Sequence, residues 1–138
     1  MYKKTLTYSD YNGVERTEDF YFNLSQAEIA EKQMTTEGGY SAMLERIVKA
    51  NNTPALFKEF KDLMLLAYGE KSDDGRRFMK IDPKDGHRLA DDFMQTEAFS
   101  MFLVELVTDS KVAAEFVRAI IPGKIEVKGL DLATAPQN

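Results

Sequence analysis

Residues Thr53–Phe78 read TPALFKEFKDLMLLAYGEKSDDGRRF, and this stretch decides the fold. Leu56, Phe57, Phe60, Leu63, Met64, Ala67 and Tyr68 recur at helical spacing and so share one face. Leu65 and Leu66 widen that face, which predicts a central helix contacted on more than one side. Thr53 suits the cap, Pro54 the first turn, and Gly69 the residue just past the end. From Glu70 to Phe78 the chain turns polar and charged and reads as a loop with one aromatic at its end.

Working outward, residues Tyr2 to Phe22 form a predicted β-hairpin around Tyr11-Asn12-Gly13. Tyr2, Leu6 and Tyr8 share one parity on the first strand, and Val14, Phe20 and Phe22 share one on the second. A two-residue Asn-Gly turn would pair even positions with odd ones. A three-residue loop with Gly13 left-handed restores the match, placing Tyr2 opposite Phe22 and Leu6 opposite Glu18. Lys3, Thr5, Thr7, Glu15, Thr17 and Asp19 then face water. A lone hairpin is marginal, so its apolar side must meet helices or another chain.

Ser25 and Glu28 form a capping box, with Leu24 stapling onto Ile29, and they start a helix that Gly38-Gly39 breaks. Tyr40, Met43, Leu44, Ile47 and Val48 make the next helical stripe, ending near Asn51-Asn52. Asp82-Pro83 and Asp85-Gly86 mark turns. Leu89 to Met94 reads as a short helix. Thr96 caps a stronger one carrying Phe99, Phe102, Leu103, Leu106 and Val107. Asp109 or Ser110 starts a last helix with Val112, Ala113, Phe116, Val117, Ile120 and Ile121, stopped by Pro122-Gly123. The expectation is an α+β domain over residues 1–122, with a hairpin over 1–23, about five to six helices over 24–122, and a flexible tail over 123–138.

At 138 residues, 43% hydrophobic and 30% charged, the composition is that of an ordinary globular domain rather than a disordered chain. A net charge of −5 argues against nucleic acid as the main partner. The absence of cysteine removes disulfides, thiolate catalysis and thiolate metal sites together. Met1 to Thr7 lacks the apolar run of a signal peptide, and no stretch is apolar for long enough to span a bilayer. A soluble, intracellular protein is expected.

No cluster spells out a reaction. His87 is the single histidine and follows a turn, where a solvated ring is the expected state, and a zinc site would need three carboxylates or waters beside it. Asp73-Asp74-Gly75, and Asp82 with Asp85-Gly86, lack the oxygen spacing of a calcium loop. Gly38-Gly39 lacks the remainder of a phosphate loop. Ser25 and Ser41 have no histidine nearby, and Asp91 and Asp92 point about 100° apart on a helix. Arg76, Arg77, Lys80, Lys84 and Arg88 gather around Phe78, but Asp73, Asp74, Asp82 and Asp85 offset them. Met101 and Val104 make the Thr96–Val107 helix apolar nearly all round, and the seven methionines suit adaptable contacts.

Asp10-Tyr11-Asn12-Gly13, then Asp19-Phe20-Tyr21-Phe22-Asn23-Leu24-Ser25, resemble the N-terminus of tail assembly chaperones from long-tailed bacteriophages. Ala67-Tyr68-Gly69-Glu70-Lys71-Ser72-Asp73-Asp74-Gly75-Arg76-Arg77-Phe78, Gln95-Thr96-Glu97-Ala98-Phe99, and Ala113-Ala114-Glu115-Phe116 through Ile120-Ile121-Pro122 resemble the same family. The resemblance implies a protein without catalysis or cofactor, working in the host cytoplasm and absent from the finished virion. It implies that the chain keeps the tape-measure protein soluble, helps recruit tail-tube subunits and associates with further copies of itself. An amphipathic partner helix would then lie in a groove, with Phe99, Phe102, Leu103, Leu106, Phe116 and Ile120 as the expected contacts. The resemblance also suggests a longer form made by ribosomal slippage. Pro122-Gly123-Lys124 is compatible with a G-GGA-AAG heptamer, after which residues 125–138 would be replaced. The competing expectation is a small regulatory adaptor binding a protein or nucleic acid through the charged loop 70–88, with Arg76, Arg77 and Phe78 at its centre.

Overall fold

Tyr11-Asn12-Gly13 closes the first hairpin in the expected register. In the computed structural model, which describes residues 1–50, 53–121, 126–127 and 130–131, β1 (Tyr2–Ser9) pairs antiparallel with β2 (Glu15–Phe22). Tyr2 lies opposite Phe22 and Leu6 opposite Glu18. The Asp10 amide donates to the Val14 carbonyl at 2.8 Å and the Gly13 amide to the Asp10 carbonyl at 2.9 Å. Gly13 sits at φ 79°, a left-handed conformation that glycine adopts without a Cβ penalty. Thr5 donates to Asp19, and Thr7 meets Thr17 on the solvated face. Val14 has the parity of Phe20 and Phe22 yet is 54% exposed, because residues 11–17 extend past the helices.

Six helices follow: α1 (Gln26–Thr35), α2 (Tyr40–Lys49), α3 (Thr53–Ala67), α4 (Leu89–Phe93), α5 (Glu97–Thr108) and α6 (Ser110–Ile120). Ser25 accepts from the Glu28 amide while Glu28 accepts from the Ser25 amide, so the capping box is complete. Leu24 and Ile29 are both buried, as the staple requires. Gly38 and Gly39, at φ 78° and 91°, turn the chain between α1 and α2.

The central helix differs from its expected end. It stops at Ala67, and Tyr68 and Gly69 open β3 (Tyr68–Lys71), which pairs with β2 at Tyr21 and Phe22. Sheet pairing wins because the last helical carbonyls find partners without a left-handed glycine. The Asn23 amide donates to the Ala67 carbonyl at 2.8 Å, and the Lys80 ammonium donates to the Leu66 carbonyl at 2.7 Å. Gly69 is needed for a different reason: a Cβ there would lie 2.6 Å from both the Met79 carbonyl oxygen and the Phe78 ring.

The expected charged loop is a second hairpin. β3 pairs with β4 (Phe78–Met79), so the helical stretch contributes two strands to a four-stranded antiparallel sheet ordered β1-β2-β3-β4. Ser72, nearly buried, shapes its turn by donating to Asp74 at 2.7 Å and accepting from the Arg77 amide at 3.0 Å.

The helices cover the even-numbered face of β1 and β2. Phe22 is fully buried, with the rings of Tyr2, Tyr68, Phe93, Phe102 and Phe116 around it at centroid distances from 5.3 to 6.4 Å. Burial of such a side chain contributes about 1.5–3 kcal/mol. Phe60, Leu63, Met64 and Ala67 of α3 join this core, whereas Phe57 of the predicted stripe is 44% exposed. The Met1 ammonium donates to the Ala119 carbonyl at 3.2 Å, seating the end of α6 beside the start of β1. Of the predicted tail, the structure describes β5 (Glu126–Val127) paired with β6 (Leu130–Asp131). The Pro122-Gly123 stop, the slippage tripeptide and the other tail residues lie outside the described residues, as does Asn51-Asn52.

Candidate functional site

The helices expected to receive a partner are both capped as the sequence indicates. Thr96 accepts from the Phe99 amide at 3.2 Å, and Asp109 accepts from the Lys111 and Val112 amides at 3.0 and 3.2 Å. Their apolar residues turn inward. Phe99, Phe102, Leu103, Leu106, Phe116 and Ile120 are all buried, between 0% and 7% exposed, so in this conformation none offers surface to a partner. The structure does bring them together: Phe102 and Phe116 meet edge-on at 5.5 Å, and Tyr2 of β1 lies parallel to Phe102 at 6.0 Å. Lys4 lies over the Phe102 ring and reaches Glu105 at 2.8 Å.

The outer face of α5 is different. Met101 is 39% and Val104 55% exposed, three positions apart and therefore neighbours on one face. α5 already contacts α3, α6 and β1, so this is its fourth side.

The charged stretch divides. Arg76 and Arg77 are exposed in the β3–β4 turn, where the Arg76 amide and Ser72 hydroxyl hold the Asp74 carboxyl below its usual range. Phe78 is half-buried in β4. Lys80 belongs to no outward patch. Its ammonium bonds the Leu66 carbonyl at 2.7 Å, the Asn23 carbonyl at 3.1 Å and the Glu28 carboxylate at 3.1 Å. Burial pulls its pKa down, and Glu28 opposes that shift.

His87, expected as a solvated ring, is 38% exposed and also bridges two carboxylates. Nδ1 lies 2.6 Å from Asp85 and Nε2 2.7 Å from Asp92. Those two carboxylates push its pKa up to about 9, so the ring is a doubly donating imidazolium near neutrality. One oxygen or nitrogen each from Asp82, Asp85 and His87 lies within 4.8 Å of the others, and both His87 ring nitrogens are already engaged by carboxylates.

A further feature is a groove of about 430 Å³ between β2 and β3, bordered by Glu18, Asp19 and Tyr21 on one side and Gly69, Glu70 and Lys71 on the other. It exists because the two strands pair at only two positions and then diverge. The sequence offered no sign of it, since β3 reads as the end of a helix at Tyr68 and a charged loop from Glu70.

Residues 1–137 match the family described as phage tail assembly chaperone. The chain belongs to that family. A tail assembly chaperone acts in the morphogenesis of the phage tail and is not an enzyme. No curated protein and no solved structure matches the chain. No helix among the described residues of this tail assembly chaperone is long and apolar enough to cross a membrane.

Proposed function

We propose that this tail assembly chaperone binds the tape-measure protein, keeps it soluble and helps recruit tail-tube subunits around it. It works in the host cytoplasm, leaves before the virion is complete, and coats its partner as several associated copies. The observation that carries the reading is the outer face of α5. A helix buried on its other sides still presents Met101 and Val104 to solvent. An amphipathic helix laid along that face is a recurring mode of recognition, and methionine adapts to varied partners. The six buried residues of α5 and α6 act from beneath, fixing the helix that carries the surface.

Co-expression with the tape-measure protein of the same genome tests this. The partner should become soluble and co-elute with several copies of the chain. A tape-measure protein that stays insoluble, with no complex formed, would remove the reading.

A further inference from the structure

The β1–β2 hairpin has a free edge on β1 and, short of the two positions that β3 takes, an unpaired stretch on β2, and the two carry opposite charge. Asp10 and Val14 exchange a backbone hydrogen bond beside the turn, so antiparallel alternation makes Tyr8–Arg16, Leu6–Glu18, Lys4–Phe20 and Tyr2–Phe22 the hydrogen-bonded pairs. The backbone groups of the odd residues therefore point away from the partner strand. On β1 these belong to Lys3, Thr5, Thr7 and Ser9, along the outer edge of the sheet. On β2 they belong to Glu15, Thr17 and Asp19, beyond the two positions paired with β3, and Asp19 lines the groove.

Two of the devices that block sheet edges are missing here. The eight-pair register runs without a bulge, and neither strand contains proline. β1, YKKTLTYS, carries two lysines and no acid, whereas β2, ERTEDFYF, carries three acids and one arginine. Pairing β1 with β1 would join two positive edges, and pairing β2 with β2 would join two negative ones. Only β1 against β2 is complementary.

We propose that the β1 edge of one copy adds to the open β2 edge of the next, so that copies join head to tail. This deepens the self-association in the reading above and rests on it. With Lys3 of one copy opposite Asp19 of the next, Thr5 meets Thr17. Asp19 currently holds Lys3 of its own chain at 3.8 Å, an exposed pair that readily exchanges. The contact uses a different patch on each copy. It therefore propagates rather than closing as a dimer, which is the geometry a coat along a rod requires.

Two proline variants test it. Thr7 and Thr17 face each other with hydroxyls 2.9 Å apart, and both amides point outward, so each proline removes one edge donor and no β1–β2 ladder bond. Sedimentation of the wild type should show a concentration-dependent series that shrinks with added salt. Thr7→Pro alone and Thr17→Pro alone should be monomers with wild-type circular dichroism, and their equimolar mixture should give a dimer and nothing larger. Should either proline disturb folding, Lys3→Glu and Asp19→Lys replace them: each alone is monomeric, and the mixture regains the series, because the reversed pair and the original Lys3–Asp19 pair alternate along it. A wild type that stays monomeric, single variants that assemble as the wild type does, a proline mixture that grows beyond a dimer, or a charge-variant mixture that stays monomeric would each overturn the proposal. The soluble yield of co-expressed tape-measure protein is a separate readout. Its failure in the wild type would count against partner binding, and its persistence with monomeric variants would not.

Discussion

The rings of Tyr68 and Phe93 lie parallel, with centroids 4.2 Å apart and an interplanar angle of 3°. The stack fastens β3 to α4, and Phe93 also touches the rings of Phe20, Phe22 and Phe99. Phe93→Ala should cost about 3–5 kcal/mol of unfolding free energy, read from the denaturant midpoint. Tyr68→Phe should be close to neutral, because the hydroxyl reaches Glu70 only at 3.5 Å. An unchanged midpoint for Phe93→Ala would show that the stack does not hold the two elements together.

Lys80 joins the end of α3, the exit of β2 and the capping box of α1 through one ammonium group. Lys80→Met keeps the stem but leaves the Leu66 and Asn23 carbonyls without that donor. The expected loss is about 2 kcal/mol. Hydrogen exchange should quicken first at the C-terminal turn of α3 and the first turn of α1; uniform protection in both would argue that water replaces the lysine without penalty.

His87 predicts a pH dependence whose sign is fixed by its raised pKa. Relative to the ordinary 6.5, a folded value of about 9 means the imidazolium stabilises the fold fully below 6.5. That contribution is lost as pH rises through about 9. The Tm of the wild type should fall across this window more than that of His87→Gln. Parallel Tm curves for the two proteins would show that the Asp85 and Asp92 contacts do not persist in solution.

Phe102 and Val104 separate folding from binding on one helix. Phe102 is fully buried, and an aspartate there places an unpaired charge in the aromatic core, so Phe102→Asp should not fold. Val104, 55% exposed, should accept aspartate with a near-native midpoint and lose co-elution with the tape-measure protein. Retained co-elution of Val104→Asp, and of Met101→Asp with it, would place the partner surface elsewhere.

Much of this fold was legible from local rules. The Tyr2–Phe22 register followed from parity, and the caps at Ser25, Thr96 and Asp109 from side chains that compete for amide hydrogens. Tyr68 misled because it continues the helical stripe of α3, while what sets its conformation is Phe22, far away in sequence. The same non-locality hid Lys80, whose partners Asn23 and Glu28 lie more than fifty positions upstream. The inward apolar faces of α5 and α6 were visible as stripes, but periodicity alone does not distinguish a face covered by the chain's own sheet from one left for a partner. Exposure separated Met101 and Val104 from their neighbours.

The T-shaped contact of Tyr2 with Phe116, 5.3 Å between centroids, has a meaning for synthesis on the ribosome. The first strand emerges early, yet the helix that covers its aromatic face follows about a hundred residues later. At translation speeds of about 5–20 residues per second, that strand waits on the order of ten seconds for its cover. During that interval the nascent chain of this tail assembly chaperone itself shows a sticky apolar surface.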